Sequence, residues 1–92
     1  MDSRYMNLTY KDKRCVLAAW QQLAAPQVTI AMASLGFDWV VVDLEHSSIT
    51  TQAAEIIFIA AEQCNIQPFV RLPSADPYLA RRLLDCGAVG IL

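Results

Sequence analysis

The sequence predicts an α/β fold in which short, buried strands of a parallel sheet alternate with helices. Three observations support this prediction. Apolar runs of about five residues recur along the chain, helix-start and helix-stop residues lie between them, and 55% of the 92 residues are hydrophobic. Strands that alternate with helices form parallel sheets, and apolar runs without alternation are typical of strands buried on both faces.

The first part of the chain is expected to form a strand, a helix and a second strand. The apolar run Val16–Trp20 predicts the first strand, and the β-branched run Trp39–Val42 predicts the second. Between them, Pro26–Leu35 shows helical spacing, with proline in the first turn and Gly36 directly after the end. The apolar positions predicted for this helix are Val28, Ala31, Met32 and Leu35.

The same alternation then repeats. Thr51 is suited to cap a helix over 52–64, Asn65 is suited to end it, and Phe69–Leu72 predicts the third strand. The apolar positions of this helix give it one predicted buried face. They are Ala53, Ile56, Ile57, Ala60 and Cys64.

A third helix and a fourth strand complete the pattern. Asp76 followed by Pro77 is a strong helix start, and Gly87 is a suitable helix end. Ala88–Leu92 predicts the fourth strand. The predicted buried stripe of this helix consists of Leu79, Leu83 and Leu84.

We expect an N-terminal segment over 1–14 and a single structural unit over 15–92. Four strands and three helices correspond to the N-terminal half of an eight-stranded β/α barrel, which takes about 250 residues in full. A small open α/β sheet is the alternative. The apolar residues at the end of the chain favour the half-barrel, because Val89, Ile91 and Leu92 need a neighbour to cover them.

Charge and composition argue against several classes of partner. The net charge is −2, and no lysine follows Lys13, which argues against nucleic-acid binding. The longest charge-free stretch, Cys15–Phe37, contains three glutamines and a proline, which argues against a membrane span. We expect a cytoplasmic protein.

The cysteines indicate neither a disulfide framework nor a zinc site. There are three, an odd number, and they are widely spaced without a CxxC motif. We expect each of them, Cys15, Cys64 and Cys86, to be a small buried apolar residue.

Polar residues lie where three of the predicted strands end. Trp20 ends the first strand, Asp43, Glu45 and His46 follow the second, and Arg71 lies on the third, just before Pro73. Because ligands bind beyond the carboxyl ends of parallel strands, these side chains are the candidate site.

Each candidate has a functional and a structural interpretation. His46 is either a general base oriented by the Asp43 carboxylate or a structural histidine of a loop. Arg71 either binds a carboxylate or enolate oxygen or forms a salt bridge to Asp43, Glu45 or Asp76. Two carboxylates and one histidine in a single loop rarely make a complete metal site.

Four segments carry a resemblance to a known family. They are Gly36–His46, Pro68–Pro73, Asp76–Tyr78 and Leu83–Ala88. In order and spacing they resemble the HpcH/HpaI aldolase family, which includes 4-hydroxy-2-oxoheptanedioate and 2-dehydro-3-deoxyglucarate aldolases and macrophomate synthase. The resemblance covers about residues 15–92.

This resemblance implies a TIM (β/α)8 barrel that makes or breaks carbon–carbon bonds through a pyruvate enolate. It implies that His46 is the base, acting through water, and that Asp43 orients it. Arg71 matches the arginine that binds pyruvate and stabilises the enolate oxygen, and Trp20 matches a pocket-wall tryptophan. Asp85 matches a carboxylate that reaches a neighbouring subunit's site.

The remaining expectations also follow from the resemblance. It implies a homo-oligomer that acts on a pyruvate-like 2-oxo acid and an aldehyde and uses a divalent metal (Mg, Mn or Co). We group Glu45 with Asp85, among the residues that support the site or contact a neighbouring subunit. The family's metal-binding Glu and Asp lie on later strands, beyond Leu92. We therefore expect no metal ligand in this chain and no aldolase activity from the 92 residues alone.

Two accounts of the chain stay open. In the first, it is the N-terminal half of a metal-dependent aldolase or one part of a split enzyme. In the second, it is a non-catalytic half-barrel that serves as an assembly module, because an exposed parallel edge is a ready site for pairing.

Overall fold

The computed structural model describes residues 15–92, and the predicted N-terminal segment 1–14 lies outside the described residues. Strands and helices alternate along the described region. They are β1 (Ala18–Gln21), α1 (Pro26–Ser34), β2 (Trp39–Asp43), α2 (Thr51–Gln63), β3 (Gln67–Arg71), α3 (Pro77–Asp85) and β4 (Gly90–Ile91). The strands form one sheet in the order β1-β2-β3-β4, and each neighbouring pair is parallel. The predicted alternation and parallel sheet are confirmed.

The sheet register sorts the side chains onto two faces. Asp43 pairs with Arg71, and Val42 pairs with Val70. Because successive side chains of a strand point to opposite faces, Asp43 and Arg71 share one face, and the two valines share the other. The valine face packs against the helices in two clusters. The larger consists of Val42, Ile49, Ala54, Ile57, Phe58, Val70, Leu83 and Ala88, and the smaller of Val40, Ala61 and Ile66.

Local signals fix the helix boundaries, with one correction. Thr50, not Thr51, is the N-cap of α2, and its Oγ1 accepts a hydrogen bond from the Ala53 backbone N–H at 3.1 Å. Asn65 follows this helix with φ of 58°, a left-handed conformation that asparagine tolerates. Asp76 caps α3 as predicted, and its Oδ1 accepts from the two backbone N–H groups of Tyr78 and Leu79.

The predicted buried faces of the helices are partly wrong. In α2, Ile57 is fully buried but Ile56 is 51% exposed. The residues of α2 that are buried are Ala54, Ile57, Phe58 and Ala61. The run 56–61 is apolar at every position, so its spacing does not define a single face. In α1, Thr29 is the buried residue, and Leu35 is 73% exposed.

A similar shift occurs in α3. Leu83 is fully buried against the sheet, whereas Leu84, the next residue, is 43% exposed. Adjacent helical residues lie about 100° apart around the axis, so only one of the two can point straight into a core. The buried stripe of α3 is therefore narrower than predicted, and it does not include Leu84.

Much of the apolar content lies outside the core. Several large apolar side chains are exposed within the described residues. They are Leu17, Trp20, Leu23, Ile30, Leu35, Ile56, Ile59, Tyr78, Leu84 and Leu92. Among residues 15–92, no helix is both long enough and apolar enough to cross a membrane.

The cysteines are free thiols and less buried than predicted. Cys15 is exposed, and Cys64 and Cys86 are half-buried. Cys86 Sγ donates a hydrogen bond to Glu55 Oε1 at 3.3 Å and so joins α3 to α2. This contact with a carboxylate raises the pKa of the Cys86 thiol.

The approach of β4 to β3 requires a glycine at position 90. A Cβ atom there would lie 2.6 Å from Cε2 of Phe69. The Phe69 ring also packs on Trp39, with 4.3 Å between the ring centroids. The Phe69 ring therefore contacts Trp39 on one side and the β4 backbone on the other. At position 90 it leaves space for the hydrogen atom of glycine but not for a Cβ atom.

The burial difference between Leu83 and Leu84 predicts different costs of truncation. Leu83→Ala should lower the free energy of unfolding by about 2–5 kcal/mol, because it leaves a cavity in the core. Leu84→Ala, the matched control on the exposed side, should cost about 1 kcal/mol or less. Urea denaturation of the full chain measures both, and equal losses would contradict the observed helix orientation.

Candidate active site

The site is built around the carboxylate of Asp43, the last residue of β2. This side chain is fully buried. Its Oδ1 accepts hydrogen bonds from the backbone N–H groups of Glu45 and His46, both at 2.9 Å. These two bonds fold the loop that follows β2 back over the end of the strand.

Three side chains donate to the same carboxylate from the neighbouring elements. Asp43 Oδ2 accepts from Trp20 Nε1 at 3.2 Å, from Gln22 Nε2 at 3.0 Å and from Arg71 Nη2 at 3.0 Å. Arg71 Nε also donates to Oδ1 at 3.3 Å, so the guanidinium and the carboxylate form a two-pronged pair. The carboxylate thereby ties the ends of β1, β2 and β3 together.

These contacts determine the charge state of Asp43. Burial alone raises the pKa of its carboxyl. Hydrogen bonds from Gln22, the His46 backbone, Arg71 and Trp20 outweigh burial and hold that pKa well below its usual range. Asp43 is therefore an anion at neutral pH, with its lone pairs committed to donors.

Glu45 links the histidine to the arginine. Its Oε1 lies 3.4 Å from His46 Nε2 and 3.3 Å from Arg71 Nε. The His46 side chain is 56% exposed, so the imidazole is open to solvent. Asp43 contacts the backbone of His46, whereas Glu45 contacts its ring.

The salt-bridge interpretation of Arg71 accounts for one edge of its guanidinium, and the binding of a substrate oxygen stays a prediction. The predicted salt bridges to Asp43 and Glu45 are present, and they use Nε and Nη2. Asp76, the third predicted acceptor, caps α3 instead. Within residues 15–92, Nη1 has no hydrogen-bond acceptor. The guanidinium carbon lies 5.1 Å from the centroid of the Trp20 ring, within range of a cation–π contact.

The structure brings together most of the residues that the sequence singled out. Trp20, Asp43, Glu45, His46 and Arg71 form one connected cluster. Trp20 is not the last residue of β1, because β1 runs one residue further than predicted, to Gln21.

Asp85 does not join this cluster. It ends α3, just before β4 begins, and helices that connect parallel strands run back toward the strands' amino ends. Asp85 is exposed in a surface groove with Tyr78, Arg81, Arg82 and Cys86. Its predicted contact with a neighbouring subunit stays a prediction.

Gln22 is a site residue that sequence reasoning missed. It directly follows β1, at the same edge of the sheet as the other candidates. The rule that selected Asp43 and Arg71 could have found it, but from sequence Gln22 counts only as one of the three glutamines that argue against a membrane span.

The described side chains do not fit a divalent metal. Asp43 already accepts two backbone and four side-chain hydrogen bonds, and a guanidinium lies beside it. Within residues 15–92, no three side chains of His, Cys, Asp or Glu come together as metal ligands. No metal-dependent step is therefore derived from these residues.

The positions of the Arg71 guanidinium and the His46 imidazole allow two kinds of chemistry. A positioned guanidinium with a free edge binds oxyanions and stabilises negative charge on oxygen. A solvent-accessible imidazole beside it can transfer protons. Both groups lie at the carboxyl ends of a parallel β/α sheet, which is where α/β proteins bind their ligands.

Comparison with known proteins identifies the family. Residues 16–92 match the family model described as HpcH/HpaI aldolase/citrate lyase, and the chain belongs to this family. The hydroxypyruvate/pyruvate aldolase of Rhizorhabdus wittichii is 39% identical over 83 residues, which cover 90% of this chain and 33% of that protein.

Solved structures confirm the fold class. An HpcH/HpaI aldolase from Desulfitobacterium hafniense matches with a TM-score of 0.77 and 30% identity over 83% of this chain and 30% of its own. The citrate synthase SbnG matches with a TM-score of 0.78 and 32% identity, over 83% of this chain and 31% of its own. The chain thus spans about a third of the length of the relatives that it matches.

The environment of Asp43 predicts a pH-dependent contribution to stability. Asp43→Asn should lower the free energy of unfolding at pH 7 by about 2–3 kcal/mol, because it leaves the Arg71 charge poorly paired. The folded-state pKa of Asp43 lies below its unfolded value of about 3.9. The advantage of the wild type is therefore complete above about pH 5 and shrinks as the pH falls below 4.

Urea denaturation at pH 7, 5 and 3 measures this difference. Asp85→Asn removes an exposed carboxylate and serves as the matched control, with an expected change within about 0.5 kcal/mol at each pH. A wild-type advantage over Asp43→Asn that stays constant from pH 7 to pH 3 would contradict an ionised, hydrogen-bonded Asp43.

Proposed function

We propose that this chain carries part of the active site of a pyruvate aldolase, which cleaves or forms a carbon–carbon bond of a hydroxy-2-oxo acid through a pyruvate enolate. The observation that carries the proposal is the Arg71 guanidinium, held by Asp43 at the strand ends with one edge free and His46 nearby. The names of the aldolase relatives support the same reaction class.

Arg71 is the proposed substrate-binding and charge-stabilising residue. Its Nε and Nη2 groups are held by Asp43 and Glu45, which fixes the plane of the guanidinium. Its Nη1 group is then available for a carboxylate or carbonyl oxygen of the 2-oxo acid. As negative charge develops on the enolate oxygen, this hydrogen bond becomes stronger. Trp20, stacked beside the guanidinium, is the proposed wall of the substrate pocket.

His46 is the proposed base, acting through a water molecule. In the cleavage direction, the base takes the proton of the substrate's 4-hydroxyl group, and the bond between carbons 3 and 4 breaks. The electron pair of that bond forms the pyruvate enolate, while carbon 4 leaves as an aldehyde. A proton returned to carbon 3 gives pyruvate. Glu45 contacts the imidazole, with 3.4 Å between its Oε1 and His46 Nε2.

The remaining elements of the proposal rest on the family. We infer a divalent metal cofactor (Mg, Mn or Co), which supplies electrophilic stabilisation of the enolate when bound, and we assign it no ligand among residues 15–92. We also infer a cytoplasmic homo-oligomer in which Asp85, exposed on α3, contacts a neighbouring subunit. The substrates would be a pyruvate-like acid and an aldehyde.

Substitutions of the two central residues should separate binding from proton transfer. In the active full-length protein, Arg71→Lys should raise KM for the 2-oxo acid by about tenfold to a hundredfold, because a point charge replaces the guanidinium fork. His46→Asn should lower kcat by about a hundredfold or more. Steady-state pyruvate release measures both.

The matched control for this experiment is Arg81→Lys. Arg81 is exposed on α3, outside the cluster, so its replacement should leave both constants unchanged. Full activity of His46→Asn, or an unchanged KM in Arg71→Lys, would overturn the proposed roles.

The described residues also predict the behaviour of the 92-residue chain by itself. With added Mn²⁺ or Mg²⁺ it should release no pyruvate from a hydroxy-2-oxo acid, since residues 15–92 gather no group of metal ligands. Pyruvate release that EDTA abolishes would contradict this expectation. Size-exclusion chromatography of the same sample tests the assembly-module alternative, because a well-behaved monomer counts against pairing through the sheet edges.

A further inference from the structure

Gln22 makes a hydrogen bond within the site, and the proposed reaction gives this residue no role. Its Nε2 donates to Asp43 Oδ2 at 3.0 Å, although Gln22 itself is an exposed residue of the β1–α1 loop. We propose that Gln22 is a positioning residue: it fixes the plane of the Asp43 carboxylate and thereby the orientation of the Arg71 guanidinium. The catalytic part of this inference rests on the proposed function.

The two oxygens of the Asp43 carboxylate accept hydrogen bonds from different sets of donors. The backbone N–H groups of Glu45 and His46, together with Arg71 Nε, hold Oδ1. Within the described part of the chain, Oδ2 is held by side chains alone. The torsion that rotates a carboxylate has a broad preference, so both oxygens must be held if its plane is to be fixed. Among residues 15–92, the donors to Oδ2 other than Arg71 are Gln22 and Trp20, and Gln22 makes the shorter contact, at 3.0 Å against 3.2 Å.

The loop that carries Gln22 is itself fixed by a network of buried hydrogen bonds. Gln21 is 2% exposed and Thr29 is fully buried. Thr29 Oγ1 donates to Gln21 Oε1 at 2.7 Å. Gln21 Nε2 donates to the carbonyl oxygens of Leu23 and Ala25, at 2.8 Å and 2.9 Å.

This network joins β1, the loop and α1 into one hydrogen-bonded unit. Buried amide and hydroxyl groups that are fully paired hold a loop in a single path. Gln21 points to the helix side of the sheet and Gln22 follows it in sequence. The path of the backbone at Gln21 therefore determines where the Gln22 amide can reach, and it reaches Asp43.

Loss of the Gln22 hydrogen bond should affect substrate binding more than proton transfer. A two-pronged ion pair keeps its geometry only while both partners keep their planes. Without the Gln22 amide, Trp20 is the remaining donor to Oδ2 besides Arg71 among residues 15–92. The plane of the Asp43 carboxylate is then held less tightly, and with it the plane of the Arg71 guanidinium. His46 is held through its backbone at Oδ1 and by Glu45, so its position is less affected. Loss of Gln22 should therefore raise KM and change kcat little.

Two near-isosteric replacements test this role. In the active full-length protein, Gln22→Met keeps the length of the side chain but removes the donor, and it should raise KM for the 2-oxo acid about tenfold, the effect of one hydrogen bond to a charged group. Gln22→Glu replaces the donor with a second carboxylate beside Asp43, which repels Oδ2 and competes for Arg71. It should raise KM about a hundredfold.

The matched controls are Gln27→Met and Gln27→Glu. Gln27 is an exposed glutamine of α1, and its replacements should leave KM and kcat unchanged. If Gln22 had only a structural role in the loop, the Met and Glu variants would lose thermal stability alike, and KM would not separate from kcat.

A measurement independent of turnover keeps this inference distinct from the proposed function. In ¹⁵N-labelled protein, the Nε–H signal of Arg71, identified by its loss in Arg71→Lys, should shift in both Gln22 variants and in neither Gln27 variant. The indole N–H signal of Trp20 should shift with it. Unchanged signals in the Gln22 variants would overturn the positioning role. Shifted signals, together with a full-length protein that releases no pyruvate from a hydroxy-2-oxo acid, would uphold that role and reject the proposed reaction.

Discussion

The ion pair between Asp43 and Arg71 is the interaction on which both the sheet and the site depend. The two residues are direct partners in the β2–β3 register, so the ion pair joins neighbouring positions of two paired parallel strands. A slip of one residue would turn the Asp43 carboxylate to the face occupied by Val42 and Val70. An unpaired charge buried there costs several kcal/mol. The register of the sheet and the geometry of the guanidinium are therefore fixed together.

The elements that could be predicted from sequence are those with local signals. The β-branched run at Trp39–Val42 identified β2 to within one residue, and Asp76 identified the start of α3. The candidate site was predictable for the same reason. Strand ends can be recognised along the chain, and the parallel arrangement brings them to one edge, so Trp20, Asp43 and Arg71 meet there.

What could not be predicted depends on three-dimensional paths. Apolar residues on several sides of a helix leave its rotation to be decided by the sheet, so Ile56 was wrongly assigned to the core. The strand-end rule places Gln22 at the right edge of the sheet, but its contact with Asp43 depends on the path of the loop, which no sequence spacing encodes. Proximity in sequence likewise suggested that Asp43 meets the His46 ring, but the tight loop instead presents the backbone N–H to the carboxylate.

The packing of Phe69 against Gly90 has a consequence for how the sequence can change over evolutionary time. The ring is held between Trp39 and the β4 backbone, so a side chain at position 90 clashes while the phenylalanine is present. A smaller residue at 69 removes the clash but leaves a gap beside Trp39. Substitutions at the two positions are therefore coupled: a side chain at 90 fits only if the Phe69 ring moves or a smaller residue replaces it. Related sequences should record this coupling as a correlation between the two positions.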